Sequence, residues 1–555
     1  MQRRDLTRAI MLALFFVSGI SGLVYQLVWT RMLVLVFGNT LLATSTVLSS
    51  FMAGLAIGSY LFGRYIDQKP RPLIKIYGYL EIGIGLWALA FPWLLRAAEP
   101  FYMWLNAGVG GNMALLNLVR FAICFVLIAI PTAFMGATLP VLVKRFVQGG
   151  QGLGRQVGFL YGLNTAGAVA GCLATGFVLL RTLGMQKTTL VAVAINIGVG
   201  LLALLVARGE AGETASDVAA EADGRPTAAD GSRYDTLAIR MVLVAIGISG
   251  FCALAYEVLW ARMLNLFLQN NVYSFTLVIA TFLLGIAIGS LLYSNLLSRL
   301  ENRIALFVLL EVGIGLYAYA TPFIFDWLNQ TLFQKQSDVL TLAKTSVIMI
   351  APTILMGIAV PLAMQICQRG PRREGSSVGT VYAVNTVGSI LGAFVAGFIL
   401  IPTIGLHRGL IAVASLNILA GLLVLLPSAT RQRRPVWVGA FAVAVLLLFV
   451  LAPPTLFRNL YDKAQPNAEI LHYKEGKVAN VVVYDFFRAG YKDLFLNRVE
   501  EASSRLWHVQ LFKMLGVMPV MMHEDPDDAL MVAFGAGMAA GATTTHTVMK
   551  RALTV

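Results

Sequence analysis

The sequence predicts a mainly α-helical, polytopic membrane protein, built as two parallel six-helix repeats and followed by a short soluble α/β segment. Three observations carry that expectation. Of 555 residues, 58% are hydrophobic and 13% charged, where a soluble domain carries roughly 25% charged residues. Up to about residue 452 the chain is a series of apolar runs long enough to cross a bilayer, separated by short polar loops. The first half of that series recurs in the second.

The runs fall near 9–29, 41–63, 73–95, 118–143, 158–180 and 188–207, then near 238–260, 272–297, 304–325, 341–365, 378–401 and 409–427. A shorter run at 436–452, between Pro435 and Pro453, reads as a thirteenth span. The domains are therefore 8–207 and 238–427 for the two repeats, 208–237 for an Ala-, Gly- and acid-rich linker without periodicity, 436–452 for the extra span and 454–555 for the soluble segment. The first run continues to Trp29 with no A-x-A site, so it reads as an uncleaved span. The net charge of +14 comes from Lys and Arg in loops beside apolar runs, where topology places them. The expected partner is a lipid bilayer and not nucleic acid, in the cell (inner) membrane with the N-terminus cytoplasmic. Thirteen spans then put the tail outside, and twelve, with 436–452 not crossing, leave it inside. Four isolated cysteines, and tail histidines His472, His508, His523 and His546 without ligand-like spacing, predict neither metal nor thiol chemistry.

The repeat is read position by position. Ser18-Gly19, Tyr25, Trp29 and Arg31 recur as Ser249-Gly250, Tyr256, Trp260 and Arg262. Gly54-Leu-Ala-Ile-Gly58-Ser59 recurs as Gly285-Ile-Ala-Ile-Gly289-Ser290, and Leu80-Glu81 as Leu310-Glu311. Pro131-Thr, Met135-Gly136 and Pro140 match Pro352-Thr, Met356-Gly357 and Pro361; Tyr161 and Asn164-Thr165 match Tyr382 and Asn385-Thr386; Asn196 matches Asn417. An even number of spans per copy makes the repeat parallel.

That arrangement resembles major-facilitator transporters, as does the loop Gly63-Arg-Tyr-Ile-Asp67-Gln-Lys-Pro-Arg71, which is similar to their G-x-x-x-D-x-x-x-R loop and is degraded at Ser294 and Ser298 in the second half. The resemblance implies a small-molecule substrate. Polar groups inside spans are functional candidates by default: Glu81 and Glu311, about 12 Å deep at 1.5 Å per residue, with Arg31, Arg262, Asn164 and Asn385. Their recurrence fits either a Glu–Arg pair in each half, with the arginines alternatively snorkelling, or a substrate or proton site in a central cavity. Gln26 against Glu257 is a main asymmetry between the copies.

In the tail, Ala529-Leu-Met-Val-Ala-Phe-Gly535-Ala-Gly537-Met-Ala-Ala-Gly541 reads as strand, tight turn and helix start, where glycines let a ligand approach the backbone. Upstream, Val478-Ala-Asn480-Val-Val-Val-Tyr484, Leu494-Phe-Leu-Asn497, Met514-Leu-Gly-Val-Met-Pro519 and His523-Glu-Asp-Pro526 follow in the order found in spermidine synthases. The chain thus resembles the membrane-embedded spermidine-synthase-like (polyamine aminopropyltransferase) proteins. The resemblance implies a small sheet followed by a methyltransferase-like Rossmann fold. It also implies decarboxylated S-adenosylmethionine, as co-substrate and not a tightly bound cofactor, over Gly535, Gly537 and Gly541, with Asn480 where the family has Gln. Ala533, Ala536 and Lys513 depart from the family pattern, and Lys513 would repel an amine. Thr543 to Lys550 reads as the first Rossmann helix and Ala552-Leu-Thr-Val555 as the next strand. The ribose-binding acid and catalytic Asp of the family would lie beyond, so no catalytic residue is assigned. This chain is expected to be a fragmentary, inactive copy of an aminopropyltransferase, with a transporter bearing a vestigial or regulatory tail as the alternative.

Overall fold

In lipid each backbone amide must be satisfied within its own segment, so the apolar runs form helices. The computed structural model describes residues 2–37, 40–108, 113–147, 152–210, 234–264, 272–332, 338–368, 370, 373–425, 456–476, 479–497, 499–532, 534–545 and 549–554. The first half contains α1 Gln2–Phe37, α2 Thr40–Asp67, α3 Leu73–Gly108, α4 Met113–Phe146, α5 Leu153–Ala174 and α6 Leu180–Glu210. The second contains α7 Thr236–Leu264, α8 Val272–Asn295, α9 Arg303–Leu332, α10 Asp338–Ile366, α11 Glu374–Val395 and α12 Ile401–Leu423. The run at 436–452 and most of the 208–237 linker lie outside the described residues.

Among the described residues ten helical stretches are long and apolar enough to cross a membrane, and two, Leu153–Arg208 and Glu374–Leu423, run to 56 and 50 residues. A straight helix of the longer kind would measure about 84 Å against a hydrocarbon core of about 30 Å. Each is broken by one glycine, Gly184 at φ 70, ψ 178 and Gly405 at φ 80, ψ 172, a region open essentially to glycine alone. Each stretch is therefore two crossings. A π-helical turn precedes the break in both halves, at Thr175–Leu179 and Ala396–Leu400.

Helix neighbours match between the halves. α1 packs on α5 and α6, α2 on α4, and α3 on α4 and α6, as α7 packs on α11 and α12, α8 on α10, and α9 on α10 and α12. The Pro-Thr motifs explain one of these contacts. Pro131 and Pro352 cannot donate to the helix, and the threonine beside each turns inward: Thr132 donates to Ile128 O at 2.8 Å and Thr353 to Met349 O at 2.7 Å. Gly54 and Gly285 pack on those threonines, and a Cβ at either would overlap the hydroxyl. Where the copies diverge the packing changes kind. Trp29 stacks on Phe91 with centroids 4.8 Å apart, whereas Trp260 donates through Nε1 to Thr321 Oγ1 at 3.2 Å.

The halves meet along α2 with α11 and along α5 with α8. At one end of the bundle Asp67 fastens the first seam. It accepts from Lys144 Nζ at 2.5 Å and from the backbone amides of Ser376 and Gly375, at 2.6 and 3.3 Å, at the start of α11. Hydroxyls serve the other seam, where Ser294 donates to Arg155 O at 2.8 Å.

The soluble segment packs at the opposite end. It comprises α13 Leu456–Ala464, an antiparallel sheet in the order β1 Glu469–Glu475, β2 Asn480–Phe486, β3 Tyr491–Leu496 and β4 Val499–Ser503, then α14 Leu506–Met522, β5 Asp528–Met531, α15 Met538–Thr544 and β6 Arg551–Thr554. Phe457, Tyr461, Ile470, Val482 and Tyr484 share one apolar cluster with Leu259, Trp260 and Met263 of α7. Arg262 donates to Gly476 O, and Glu475 Oε2 accepts the Leu406 amide at 2.5 Å, just past the Gly405 break. Burial, and then the Glu475 carboxylate, push the Tyr473 phenol above its ordinary value, so it remains the donor to Glu475 Oε1 at 2.7 Å. β5 and β6 are parallel and joined by α15, a single strand-helix-strand unit. The doubly wound Rossmann sheet implied by resemblance is not present among the described residues. The helix expected over Thr543 to Lys550 is instead α15, starting five residues before Thr543, because the left-handed Gly537 caps it.

Alanine at Gly184 or Gly405 must hold a conformation that costs about 1–3 kcal/mol. Each variant should melt several degrees below the parent in thermal unfolding of detergent-solubilised protein, while Gly198→Ala, which meets open space within α6, should not.

Candidate functional site: a cavity between the halves

Residues of α1, α2, α4 and α5 and of α7, α8, α10 and α11 line a cavity of about 230 Å³ on the axis between the halves. Its aligned polar pairs are Ser18 with Ser249, Tyr161 with Tyr382, Asn164 with Asn385, and Thr165 with Thr386. Towards the Asp67 end, the Tyr161 and Tyr382 rings meet edge to face with centroids 6.4 Å apart. Towards the soluble segment a second space of about 100 Å³ follows, lined by Thr30 and Ala261, and both spaces share Gln26 and Glu257.

Asn164 and Asn385 therefore stand in the cavity. Each is reached by close helix approach: a Cβ at Gly19 would overlap the Asn164 carbonyl, and one at Gly250 the Asn385 carbonyl. Asn164 Nδ2 donates to Phe15 O at 3.1 Å.

Glu81 and Glu311 do not line the cavity; they are fully buried inside their own halves. Glu81 accepts from Ser18 Oγ on α1 and from Asn196 Nδ2 on α6, each at 2.6 Å. Asn417 Nδ2 of α12 donates to Glu311 Oε2 at 2.6 Å, and Ser249 of α7 is its hydroxyl partner. The Glu–Arg pair anticipated in each half gives way to neutral donors. The arginines stand near the far ends of α1 and α7, where Arg262 meets the soluble sheet and Arg31 makes no ion pair among the described residues. Ser18 and Ser249 line the cavity and contact a glutamate, so one hydroxyl separates each carboxylate from it.

Glu257 is the residue that sequence reasoning passed over as a site. Its signal was present as the acid aligned with Gln26, but depth alone favoured the paired glutamates.

In the tail, Gly535 (φ 57) and Gly537 (φ 75) form the turn between β5 and α15, and Gly541 follows inside α15 with open space at its Cβ position. Asn480 is not grouped with them. It is buried at the start of β2, where its amide donates to Asn497 Oδ1 at 2.9 Å, at the sheet end that meets Arg262. Among the described residues no group of three His, Cys, Asp or Glu could hold a metal.

No family model matches the chain. It is 28% identical over 215 residues to polyamine aminopropyltransferase 1 of Streptomyces coelicolor and 30% identical over 220 residues to the polyamine aminopropyltransferase of Corynebacterium efficiens. It is 26% identical over 292 residues to polyamine aminopropyltransferase 2 of S. coelicolor. These stretches cover 38%, 38% and 49% of this chain and 38%, 40% and 50% of the relatives, so the chain spans half or less of their length. Each stretch is longer than residues 454–555, so the likeness includes residues of the helical part. A bacterial homologue of the iron transporter ferroportin, solved in an outward-facing state, has the same fold with a TM-score of 0.52 at 15% identity, over 76% of this chain and 98% of that one. The protein is thus a multi-pass membrane protein with a mainly helical fold shared with that structure and sequence similarity to aminopropyltransferases over part of its length.

Replacing Glu81 by Leu leaves the buried Asn196 donor and the half-buried Ser18 hydroxyl without their acceptor, at about 1–3 kcal/mol. Glu81→Leu should lower the melting temperature clearly and Glu81→Gln much less; adding Asn196→Leu to Glu81→Leu should cost less than the sum of the single changes.

Proposed function

We propose that the chain is a membrane-bound relative of the spermidine-synthase-like proteins whose helical part binds a small polar molecule and passes it across the membrane. The observation that supports this is the cavity. It lies between two parallel six-helix halves, is built from aligned residues of both, has the Tyr161–Tyr382 ring contact and the Asp67 seam at one end, and continues towards the other. Rocking of one half against the other about such a site alternates access.

The end that carries Arg64, Lys69, Arg71, Lys144, Arg145 and Arg155 is taken as cytoplasmic by the positive-inside rule. The soluble segment then sits on the outer side. Residues 436–452 would form the thirteenth crossing. That reading is supported by Val424 packing in the cluster near Asp67, with Ile66 and Phe307, while Phe457 packs at the other end against Phe325.

The matching relatives favour a second reading, aminopropyl transfer from decarboxylated S-adenosylmethionine to an amine. Gly535, Gly537 and Gly541 would form the donor loop. Of the acids on and before β5, two are engaged, Asp527 with Lys550 Nζ at 2.6 Å and Asp528 with Arg551 Nη2 at 2.9 Å. Transfer needs a free base to take the proton of the attacking amine, and none is assigned here.

In proteoliposomes, cysteine introduced at Ala253, a cavity position, should react with an impermeant thiol reagent from the outer side only, and from both sides once Asp67→Asn loosens the inner seam. Equal labelling from both sides in the parent would overturn the transport reading. Incubated with decarboxylated S-adenosylmethionine and putrescine, the purified chain should release no methylthioadenosine above a no-protein control; release would establish the second reading instead.

A further inference from the structure

Glu257 is the one charged side chain lining the central cavity among the described residues, and its carboxylate has no described hydrogen bond or ion pair. A glutamine fills the aligned place in α1, so neither volume nor helix packing requires a charge there. A carboxylate away from bulk water stays ionised only beside a positive partner and otherwise takes a proton, and no Lys, Arg or His lines the cavity to hold it ionised.

The polar groups around it point the same way. The hydroxyl protons of Thr138, Thr165 and Thr386 are each given to a carbonyl of their own helix at 2.7 Å, and that of Ser389 to Asn385 O and Gly250 O at 3.0 and 3.1 Å. One of the two Asn164 side-chain N–H groups is given to Phe15 O. What these hydroxyls and the Asn164 carbonyl offer a ligand is therefore oxygen lone pairs, and the ligand that suits them brings N–H or O–H donors. Phe51, Phe282 and Leu283 line the rest of the space with apolar surface. A bare divalent metal is the wrong cation, since it takes several carboxylate or imidazole ligands and no such group exists among the described residues.

Building on the small-molecule reading above, we propose that the cavity binds a small aliphatic ammonium ion, with Glu257 as its counter-charge. Its N–H groups are shared with the hydroxyl and amide oxygens, and its methylenes lie against Phe51 and Phe282, where aromatic faces also attract a cation.

The test uses the full chain in nanodiscs with the Ala253→Cys reporter, one helical turn from Glu257, and the unmodified chain, whose four cysteines are buried, as control. Putrescine should slow maleimide labelling of the reporter and uncharged 1,4-butanediol should not. Calorimetric titration of the parent with putrescine should give binding that weakens at least about tenfold in Glu257→Gln and recovers partly in Glu257→Asp, with all three eluting alike in size-exclusion chromatography. Equal protection by the diol, or unchanged putrescine affinity in Glu257→Gln, would overturn the assignment. Labelling that neither compound slows would overturn it while leaving the cavity reading standing, and a reporter that cannot be labelled at all would defeat both.

Discussion

A carboxylate held inside a lipid-immersed bundle must find donors within reach, and Glu81 and Glu311 each organise one half around themselves. Glu81 joins α1, α3 and α6 through Ser18 and Asn196; Glu311 joins α7, α9 and α12 through Ser249 and Asn417. Desolvating a carboxylate costs several kcal/mol, and hydrogen bonds must return most of it. The three helices consequently have little freedom to slide past one another. Rigid halves leave relative motion to the seam between them, which is where the cavity lies.

Within that shared plan the two copies have parted in ways that trade one interaction for another. Phe91 and Thr321 occupy aligned positions, and the tryptophan packed on each stacks in one case and donates a hydrogen bond in the other. Asp67 closes one seam with charge, whereas its counterpart region uses serine hydroxyls. Gln26 and Glu257 differ by one atom type, yet only one of them brings charge to the cavity.

Much of this was legible in the sequence, because the governing signals are local. Span length fixes where helices cross, and ordered recurrence of Trp, Glu, Asn and Pro-Thr pairs fixes which helices correspond. The partners of the buried groups were not legible. Glu81 and Arg31 sit on neighbouring spans and invite pairing, but helix direction puts Arg31 near the far end of α1 while Ser18 and Asn196 stand level with the carboxylate. Arg262 meets a carbonyl more than two hundred residues away, a contact that no periodicity encodes. In the tail the glycine turn was readable from its spacing, whereas the extent of the sheet around it depends on strand pairings that the motif does not specify.

The attachment of the soluble sheet has a mechanical consequence. Arg262 of α7 and the Leu406 amide of α12 grip successive residues of the same β-turn region, Gly476 and Glu475, and the second grip lies beside the kink at Gly405. Through these two bonds the sheet behaves as a splint laid across two helices of the second half. Bending at that kink stretches the splint, so the second half carries a stiffness that the first half, with nothing described bridging Gly184, does not share. The load of any rocking movement therefore falls unequally, and the first half is the more compliant arm.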